Sequence, residues 1–200
     1  MSKTNLLVDI GNSNISWKIG DCYSSVSIKD FQINAIPQHQ ISTIACVAHH
    51  ELIQYFVNPT IIKPNPYKDL VFDYNLAQLG VDRFLGLVAG YDKYPERDFM
   101  LVDIGTFVTI DIVRNKRHID GGITPGIYQL QACKTFIGKD SQRSWRLGTE
   151  NMLRDYLEKR CEAFDGKILI TGGSQKMLNI KQGEYHQNLV ITGLEITNGK

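Results

Sequence analysis

The sequence predicts a mixed α/β protein that consists of two halves built on one plan. A five-residue core, Leu-Val-Asp-Ile-Gly, occurs at residues 7–11 and again at residues 101–105. Each copy ends an apolar, strand-like segment, and a second strand-like segment follows each of them. A helix-like segment with apolar residues at helical spacing follows later in each half. The segments on either side of the Leu-Val-Asp-Ile-Gly motif therefore repeat together with the motif.

Each copy of the core predicts a β-hairpin. An apolar strand leads into Asp-x-Gly and small polar residues, and the next strand covers residues 15–19 in one copy and 109–113 in the other. A strand, a tight turn and a second strand are typical of a hairpin. Pro95 and the charged residues 96–98 then indicate a break in the chain. We therefore place the two domains at residues 1–96 and 97–200.

The remaining segments alternate between strand-like and helix-like patterns. A β-branched, apolar run at residues 42–48 predicts a buried strand, and residues 76–91 predict a helix. Residues 150–164 predict a second helix with Thr149 as its N-cap. The apolar residues 167–170 predict a strand that leads into a glycine turn. This alternation is what a mixed α/β fold requires.

Composition narrows the class of protein. The chain has 22 Lys and Arg against 21 Asp and Glu, a net charge of +1, so we expect no nucleic-acid or membrane partner. It has no run of about 20 apolar residues, and its first residues lack the pattern of a signal peptide, so we expect a cytoplasmic protein. The 4 cysteines are widely scattered, which favours reduced thiols over zinc ligands or disulfides.

Glycine and small polar residues follow the first strand of each predicted hairpin. We call residues 11–14 the first glycine loop and residues 105–106 the second. Backbone N–H groups in such loops can bind phosphate, because no Cβ atom obstructs its approach. Asp9 and Asp103 precede these loops, and a carboxylate beside a phosphate is favourable when Mg²⁺ or a monovalent cation lies between them. Alternatively, each Asp only caps its own turn.

Three further glycine segments carry candidate chemistry. Residues 121–126 predict a tight turn after the second hairpin, and residues 171–173 offer bare backbone against which a base or ribose could lie. Residues 80–83, Gly-Val-Asp-Arg, place an acid beside a base near the start of the first predicted helix. The sequence contains neither a Gly-x-x-x-x-Gly-Lys-Ser/Thr motif nor a Gly-x-Gly-x-x-Gly motif. This excludes a P-loop protein and argues against a Rossmann dinucleotide site.

In this order, the motifs resemble those of type III pantothenate kinase. The matching segments are residues 9–13, 79–83, 103–111, 121–126 and 171–173. That family belongs to the actin, sugar-kinase and Hsp70 superfamily. The resemblance implies two duplicated ribonuclease-H-like (actin-like ATPase) domains, each a mixed sheet flanked by helices, with the active site in the cleft between them.

The resemblance also implies roles for particular residues. The residues implied to contact ATP are Asp9, Ile10, Gly11, Asn12, Ser13, Asn14, Ile15, Ser16 and Thr106. Those implied to bind pantothenate are Tyr74, Gly80, Val81, Asp82, Arg83 and Ser141, with Asp82 as the proton acceptor. A monovalent cation, K⁺ or NH₄⁺, is implied at Asp103, and Mg²⁺ accompanies ATP. A homodimer whose interface completes the pantothenate pocket is also implied.

Two positions depart from the family pattern. Asp73 stands where the family usually has Tyr, and Tyr74 follows it, so Tyr74 does the same job if the loop shifts by one residue. Ser141 stands in place of a substrate-binding Thr, which keeps the hydroxyl and loses a methyl group. Both departures concern the acceptor substrate more than the nucleotide.

Elementary chemistry agrees with the implied roles. The primary hydroxyl of pantothenate must lose a proton as it attacks the γ-phosphate, and a carboxylate such as Asp82 within reach contributes about 10²–10⁴-fold. The planar guanidinium of Arg83 suits a substrate carboxylate. Alternatively, Asp82 and Arg83 form an ordinary ion pair on a helix surface.

Three functions follow from this sequence. The leading hypothesis is ATP-dependent phosphorylation of pantothenate to 4′-phosphopantothenate, the first step of coenzyme A biosynthesis. The second is a kinase of the same fold that acts on another small hydroxylated substrate. The third is a non-catalytic, nucleotide-binding regulator, against which the retention of Asp9, Asp82 and Asp103 speaks.

Overall fold

A computed structural model describes residues 4–132 and 138–199. These residues form two compact units. The first unit contains the residues up to Lys93 together with those from Asn188 onward, and the second contains Tyr94–Gln187. Each unit is a mixed β-sheet with helices.

The sheet of the first unit has the strand order β3-β2-β1-β4-β5. Its strands are β1 (Asn5–Ile10), β2 (Asn14–Ile19), β3 (Cys22–Ser27), β4 (Ile41–Cys46) and β5 (Pro59–Ile61). The first three strands form an antiparallel meander, while β4 is parallel to β1 and β5 is parallel to β4. The predicted hairpin of the first half is therefore confirmed.

Strand alternation in β1 decides where Asp9 points. Leu6, Val8 and Ile10 are fully buried and share one core cluster with Trp17 of β2. Because successive side chains of a strand point to opposite faces, Asp9 lies on the other face of the sheet.

Two helices of this unit contact one another, α1 (Val81–Lys93) and α5 (Leu189–Asn198), and α5 also contacts β1. A two-residue strand, β6 (Val71–Phe72), precedes them.

Helix α1 begins five residues later than the predicted helix over residues 76–91. A separate turn after Asn75 precedes the helix: the Asn75 side chain accepts a hydrogen bond from the backbone N–H of Ala77, and its carbonyl accepts one from that of Leu79. These bonds form turns instead of a continuous helix. Val81, Asp82 and Arg83 consequently form the first turn of α1, and Gly80 directly precedes it.

The second unit repeats the topology of the first. Its five strands lie in the order β11-β10-β7-β8-β9. They are β7 (Phe99–Ile104), β8 (Phe107–Arg114), β9 (Arg117–Pro125), β10 (Lys167–Thr171) and β11 (Glu184–Tyr185). Strands β7, β8 and β9 form an antiparallel meander, and β10 and β11 continue the sheet in parallel from β7. The order therefore matches that of the first unit strand for strand, which confirms two halves built on one plan.

The second unit carries the helices α2 (Ile127–Gln131), α3 (Lys139–Glu162) and α4 (Gln175–Leu178). Its core contains alternate residues of β7 and the buried stripe of α3. The stripe consists of Leu153, Leu157 and Cys161, which recur at four-residue spacing as one face of a helix requires.

Two local predictions in this unit are wrong. Thr149 is not an N-cap, because α3 begins at Lys139 and the Thr149 hydroxyl donates to the carbonyl of Trp145 at 2.9 Å inside the helix. Residues 121–126 do not form a turn, because residues up to Pro125 belong to β9, which pairs with β8. Glycine in a strand is unfavourable locally, and ladder pairing overrides that preference here.

The last helix joins the first unit, whereas the predicted division placed residues 97–200 together. Gly193 of α5 lies directly against α1, and a Cβ atom there would come within 2.8 Å of the Leu85 side chain. Lys18 of β2 also contacts Glu195 of α5 at 2.5 Å. The chain therefore returns to its first sheet after completing the second one.

Candidate functional site

The first glycine loop joins β1 to β2 and exposes its backbone. The N–H of Gly11 donates to the carbonyl of Asn14 at 3.0 Å and closes the turn. Asn12, Ser13 and Asn14 are exposed. A Cβ atom on Gly11 would lie only 3.2 Å from the Asn14 carbonyl oxygen, so the turn favours glycine. This loop can present backbone groups to an anion.

The predicted ATP contacts on either side of the loop are less accessible. Ile10 and Ile15 are fully buried in the core of the sheet. Ser16 is 5% exposed, and its hydroxyl donates to the hydroxyl of Ser25 at 2.9 Å. Their side chains hold the loop in place from within the sheet.

Asp9 lies at the end of β1 beside two polar groups from other elements. The side-chain amide of Asn188 donates to its Oδ2 atom at 3.1 Å. Burial raises the pKa of the Asp9 carboxyl from 3.8 to about 7, the Asn188 hydrogen bond lowers that pKa, and the negative charge of Asp82 raises it. Asp9 is therefore a carboxylate whose charge depends on its partners near neutral pH.

Asp82 occupies the first turn of α1, where the free N–H groups of a helix favour negative charge. Its Oδ1 atom accepts a hydrogen bond from the backbone N–H of Arg83 at 2.8 Å. A Cβ atom on Gly80 would come within 2.5 Å of that same oxygen. The absence of a side chain at Gly80 therefore leaves room for the Asp82 carboxylate, which is half-buried.

Arg83 is 6% exposed, and its guanidinium carbon lies 5.1 Å from the centroid of the Tyr74 ring. Tyr74 is 37% exposed, so it presents one part of its ring to solvent and another to the guanidinium. A guanidinium over an aromatic face is a favourable cation–π arrangement. The structure thus brings together two residues that the sequence assigned to the acceptor substrate.

The segment that follows β4 contributes residues that sequence reasoning missed. The Nε2 atom of His49 lies 3.1 Å from the carbonyl oxygen of Asn12 in the first glycine loop. His50 lies 3.3 Å from the Sγ atom of Cys46, the thiol at the end of β4. Because β4 pairs with β1, this segment emerges beside the loop. No short motif marks His49, and only the sheet register reveals its position.

Asn188 was also missed, although a local signal was present. It precedes the apolar run that forms α5, and Asn before a helix is a common N-cap. Its Oδ1 atom accepts from the N–H of Ile191 at 2.9 Å, as an N-cap does. The second role, as donor to Asp9, depends on a residue distant in sequence and is visible only in the fold.

In the second unit, the second glycine loop is hydrogen-bonded to two other segments, one at the end of β9 and one after β10. The N–H of Gly105 donates to the carbonyl of Phe107 at 3.0 Å, and the N–H of Gly126 donates to that of Thr106 at 2.9 Å. The N–H of Ser174 reaches the carbonyl of Ile104 at 2.9 Å. Thr106 is half-buried beside these bonds. The predicted segments 105–106, 126 and 171–173 are therefore neighbours.

Asp103 lies at this same end of β7, next to Thr171 of β10. Gly172 has a φ of +101°, and a Cβ atom there would overlap the Asp103 carboxylate. Glycine is thus required at that turn for both its backbone angle and its lack of a side chain.

Ser141, the remaining predicted substrate contact, is exposed in the first turn of α3. Among residues 4–132 and 138–199, no group of three or more His, Cys, Asp and Glu side chains could hold a metal ion.

Asp111, the last residue of the motif at 103–111, serves the interior of the second unit. Its Oδ1 atom lies 2.8 Å from Nε2 of His118 on the neighbouring strand β9. Both side chains are essentially inaccessible, at 0% and 1% exposure. A buried polar pair with this geometry links β8 to β9.

Comparison with known proteins agrees with these motifs. The family model described as type III pantothenate kinase matches residues 36–132. A type III pantothenate kinase of Campylobacter jejuni is 34% identical over 189 residues, which cover 94% of this chain and 82% of that protein. This chain belongs to the type III pantothenate kinase family. The first curated family members that it matches are aligned over only 56% to 63% of their own length.

Solved structures support the same fold for this member of the type III pantothenate kinase family. A Campylobacter jejuni protein, described as a candidate Baf family transcriptional activator, superposes with a TM-score of 0.66 and 25% identity, over 97% of this chain and 98% of that one. The apo ParM protein of psk41 superposes with a TM-score of 0.54 and 9% identity, over 98% of both chains. The predicted class, an actin-like fold of two mixed sheets flanked by helices, is confirmed.

One further property concerns the helices alone. Across the described part of the chain, no helix combines the length and apolar character that crossing a bilayer requires.

Proposed function

We propose that this chain transfers the γ-phosphate of ATP to pantothenate and forms 4′-phosphopantothenate, the first step of coenzyme A biosynthesis. One observation carries the proposal. Asp82, at the start of α1, lies near enough to Asp9 to raise its pKa, and Asp9 adjoins the first glycine loop. The candidate base and the candidate phosphate loop thus belong to one unit. Family membership supports the same reaction.

Asp82 is the proposed proton acceptor. Its carboxylate is half-buried and oriented by the N–H of Arg83, and the bare Gly80 keeps space open beside it. As the substrate oxygen bonds to the γ-phosphorus, the bond to the β-phosphate oxygen breaks and ADP leaves, and the hydroxyl proton passes to this carboxylate. Such general-base assistance contributes about 10²–10⁴-fold. Most of the remaining acceleration in phosphoryl transfer comes from positioning and charge neutralisation.

Arg83 and Tyr74 are the proposed binding residues for the pantothenate carboxylate. A guanidinium can donate two parallel hydrogen bonds to a carboxylate. Packing against the Tyr74 ring holds the buried Arg83 side chain in one orientation, so less conformational entropy is lost on binding. This arrangement supports Tyr74 as the substitute for the family's usual Tyr. Gly80, Val81 and the Ser141 hydroxyl complete the proposed substrate contacts.

The proposed nucleotide is ATP with Mg²⁺, bound through residues 9–16 and, in the second unit, Thr106. Mg²⁺ is usually bound by one or two carboxylates together with substrate phosphates and several waters. Asp9 fits that donor set, as a single carboxylate next to an exposed glycine loop. When bound, the ion neutralises charge on the phosphates. Asp9 would hold the ion, and the N–H groups of the loop would hold the phosphates.

The remaining family features are proposals for this chain as well. They are a K⁺ or NH₄⁺ ion at Asp103, a homodimer that completes the pantothenate pocket, a cytoplasmic location, and the ribonuclease-H-like character of the two halves. The half-buried Asp103 carboxylate beside the Gly172 turn supports the first of these. Replacement of K⁺ by Na⁺ in the assay should lower turnover, and Asp103→Asn should remove that dependence.

The decisive experiment measures formation of 4′-phosphopantothenate from ATP and pantothenate with Mg²⁺ and K⁺. Asp82→Asn should abolish turnover while ATP binding, followed by calorimetry, persists. Asp92→Asn is the matched control, because Asp92 lies on the same helix and pairs with Lys68 at 2.5 Å. Turnover near that of the wild type in Asp82→Asn would remove Asp82 as the base. No product from the wild type would overturn the proposed reaction.

A second candidate function is nucleotide-dependent regulation of transcription. The observation that favours it is the description of the Campylobacter jejuni structure as a candidate transcriptional activator. ATP binding without transfer to pantothenate, or to a panel of other small alcohols, would support this alternative. Transfer to another alcohol in preference to pantothenate would instead indicate a kinase of different specificity.

A further inference from the structure

Asn188 makes two hydrogen bonds with opposite ends of one side chain. Its Oδ1 atom accepts from the backbone N–H of Ile191 at 2.9 Å and caps α5. Its Nδ2 atom donates to Oδ2 of Asp9 at 3.1 Å. The backbone carbonyl of Asn188 also accepts from the Thr192 hydroxyl at 3.1 Å. The residue is therefore anchored to α5 by its backbone and its side chain together.

The capping bond decides which end of the amide faces Asp9. A primary amide has one acceptor end and one donor end, so using the oxygen for Ile191 directs the NH₂ group at the carboxylate. A carboxylate that accepts such a bond is stabilised in its charged form. The helix cap thereby orients a hydrogen-bond donor towards Asp9.

We propose that Asn188 is a positioning residue for Asp9, whose carboxylate it holds in one orientation for the Mg²⁺–ATP complex. The inference rests on the proposed function of Asp9 in binding that complex. Asn188 thus contributes to the site around Asp9, although the two residues are 179 positions apart in the sequence. No motif of the nucleotide loops includes this residue.

Helix α5 is held firmly enough to act as the support. Gly193 lies against the backbone of Leu85 in α1, the helix that carries Asp82. Glu195 pairs with Lys18 of β2, and Asn198 accepts from the Thr43 hydroxyl of β4 at 3.1 Å. A donor on this helix thus has a defined position relative to β1.

Three substitutions separate the cap from the donor. Asn188→Asp and Asn188→Ser both retain a capping oxygen, whereas Asn188→Ala loses it. None of them can donate an amide hydrogen bond to Asp9, and Asn188→Asp places a second carboxylate there. We expect Asn188→Ser to keep nearly the wild-type Tm but to lose about 10–100-fold in kcat or in apparent affinity for Mg²⁺ at fixed ATP, as is typical when a partner of an ion-binding group is removed. Asn188→Asp should lose more activity than Asn188→Ser although it is at least as good a cap.

Val190→Ala is the matched control on the same helix. Val190 is 5% exposed, so the substitution should lower Tm without changing the Mg²⁺ dependence or the KM for ATP. If Asn188→Ser and Asn188→Asp keep the kcat and Mg²⁺ dependence of the wild type while Asp9→Asn is inactive, the role of Asn188 is refuted and the proposed function stands. A wild-type protein that forms no phosphopantothenate would refute the proposed function, and this inference with it.

Discussion

The guanidinium of Arg83 lies over the ring of Tyr74, 5.1 Å from its centroid, at the start of helix α1. Arg83 is almost fully buried and Tyr74 is partly exposed, so the aromatic ring covers one face of the cation. The edge of a guanidinium carries its hydrogen-bond donors. A carboxylate that approaches along the edge would therefore find the cation already oriented.

Replacing Arg83 by Lys should raise the KM for pantothenate. Lysine keeps the charge but lacks the planar fork, and a charged hydrogen bond contributes about 1.5–3 kcal/mol, or about 10–150-fold. Tyr74→Phe should change KM little, because the ring that packs on the guanidinium remains. Steady-state kinetics with pantothenate varied at saturating ATP would measure both effects. An unchanged KM in Arg83→Lys would contradict carboxylate binding by this residue.

The raised pKa of Asp9 predicts a pH-dependent stability. Between about pH 4 and pH 7 the unfolded chain has an ionised Asp9 while the folded protein retains the proton, so the free energy of unfolding should fall as pH rises through this window. Above pH 7 the free energy of unfolding falls no further, and its total decrease is no more than about 4 kcal/mol. Asp9→Asn should be the more stable protein at pH 8 and lose this advantage near pH 4. Urea unfolding without Mg²⁺ at several pH values would test this, and parallel profiles would contradict it.

Two helical glycines should respond in opposite ways to alanine. Gly193 lies against α1, where a Cβ atom would come within 2.8 Å of Leu85, so Gly193→Ala should destabilise the first unit by about 1–3 kcal/mol. Gly148 lies in the exposed part of α3 with no atom within 4 Å of such a Cβ. Gly148→Ala should therefore stabilise by about 0.5–1 kcal/mol through helix propensity. Denaturant midpoints measure both, and equal effects would contradict the close crossing of α5 on α1.

The buried pair of Asp111 and His118 should be a large contributor to the stability of the second unit. Asp111→Ala leaves the His118 ring without its 2.8 Å partner in the sheet interior and should cost about 3 kcal/mol. Asp111→Asn keeps an acceptor and should cost less. Hydrogen exchange of the β8 and β9 amides would locate the change. A loss of activity with unchanged stability would show instead that Asp111 acts in the reaction.

Local sequence patterns predicted much of this fold. The repeated Leu-Val-Asp-Ile-Gly core indicated two hairpins and two similar halves, and both sheets have the same strand order. The first glycine loop was likewise recognisable, because a turn depends on neighbouring residues, whereas α1 begins five residues later than the predicted helix. The local interpretation was wrong at residues 121–126, where strand pairing overrode it, and at Thr149, which lies inside the longer helix α3.

Sequence by itself determined the repeat, the hairpins, the glycine loops and the candidate base Asp82. Only the tertiary structure decided which residues support those groups. Asn188 meets Asp9 across 179 residues of chain, and His49 reaches the first glycine loop because β4 pairs with β1. The assignment of α5 to the first unit follows from its packing on α1. Such contacts depend on strand register and helix packing over long sequence separations, which short-range patterns do not encode.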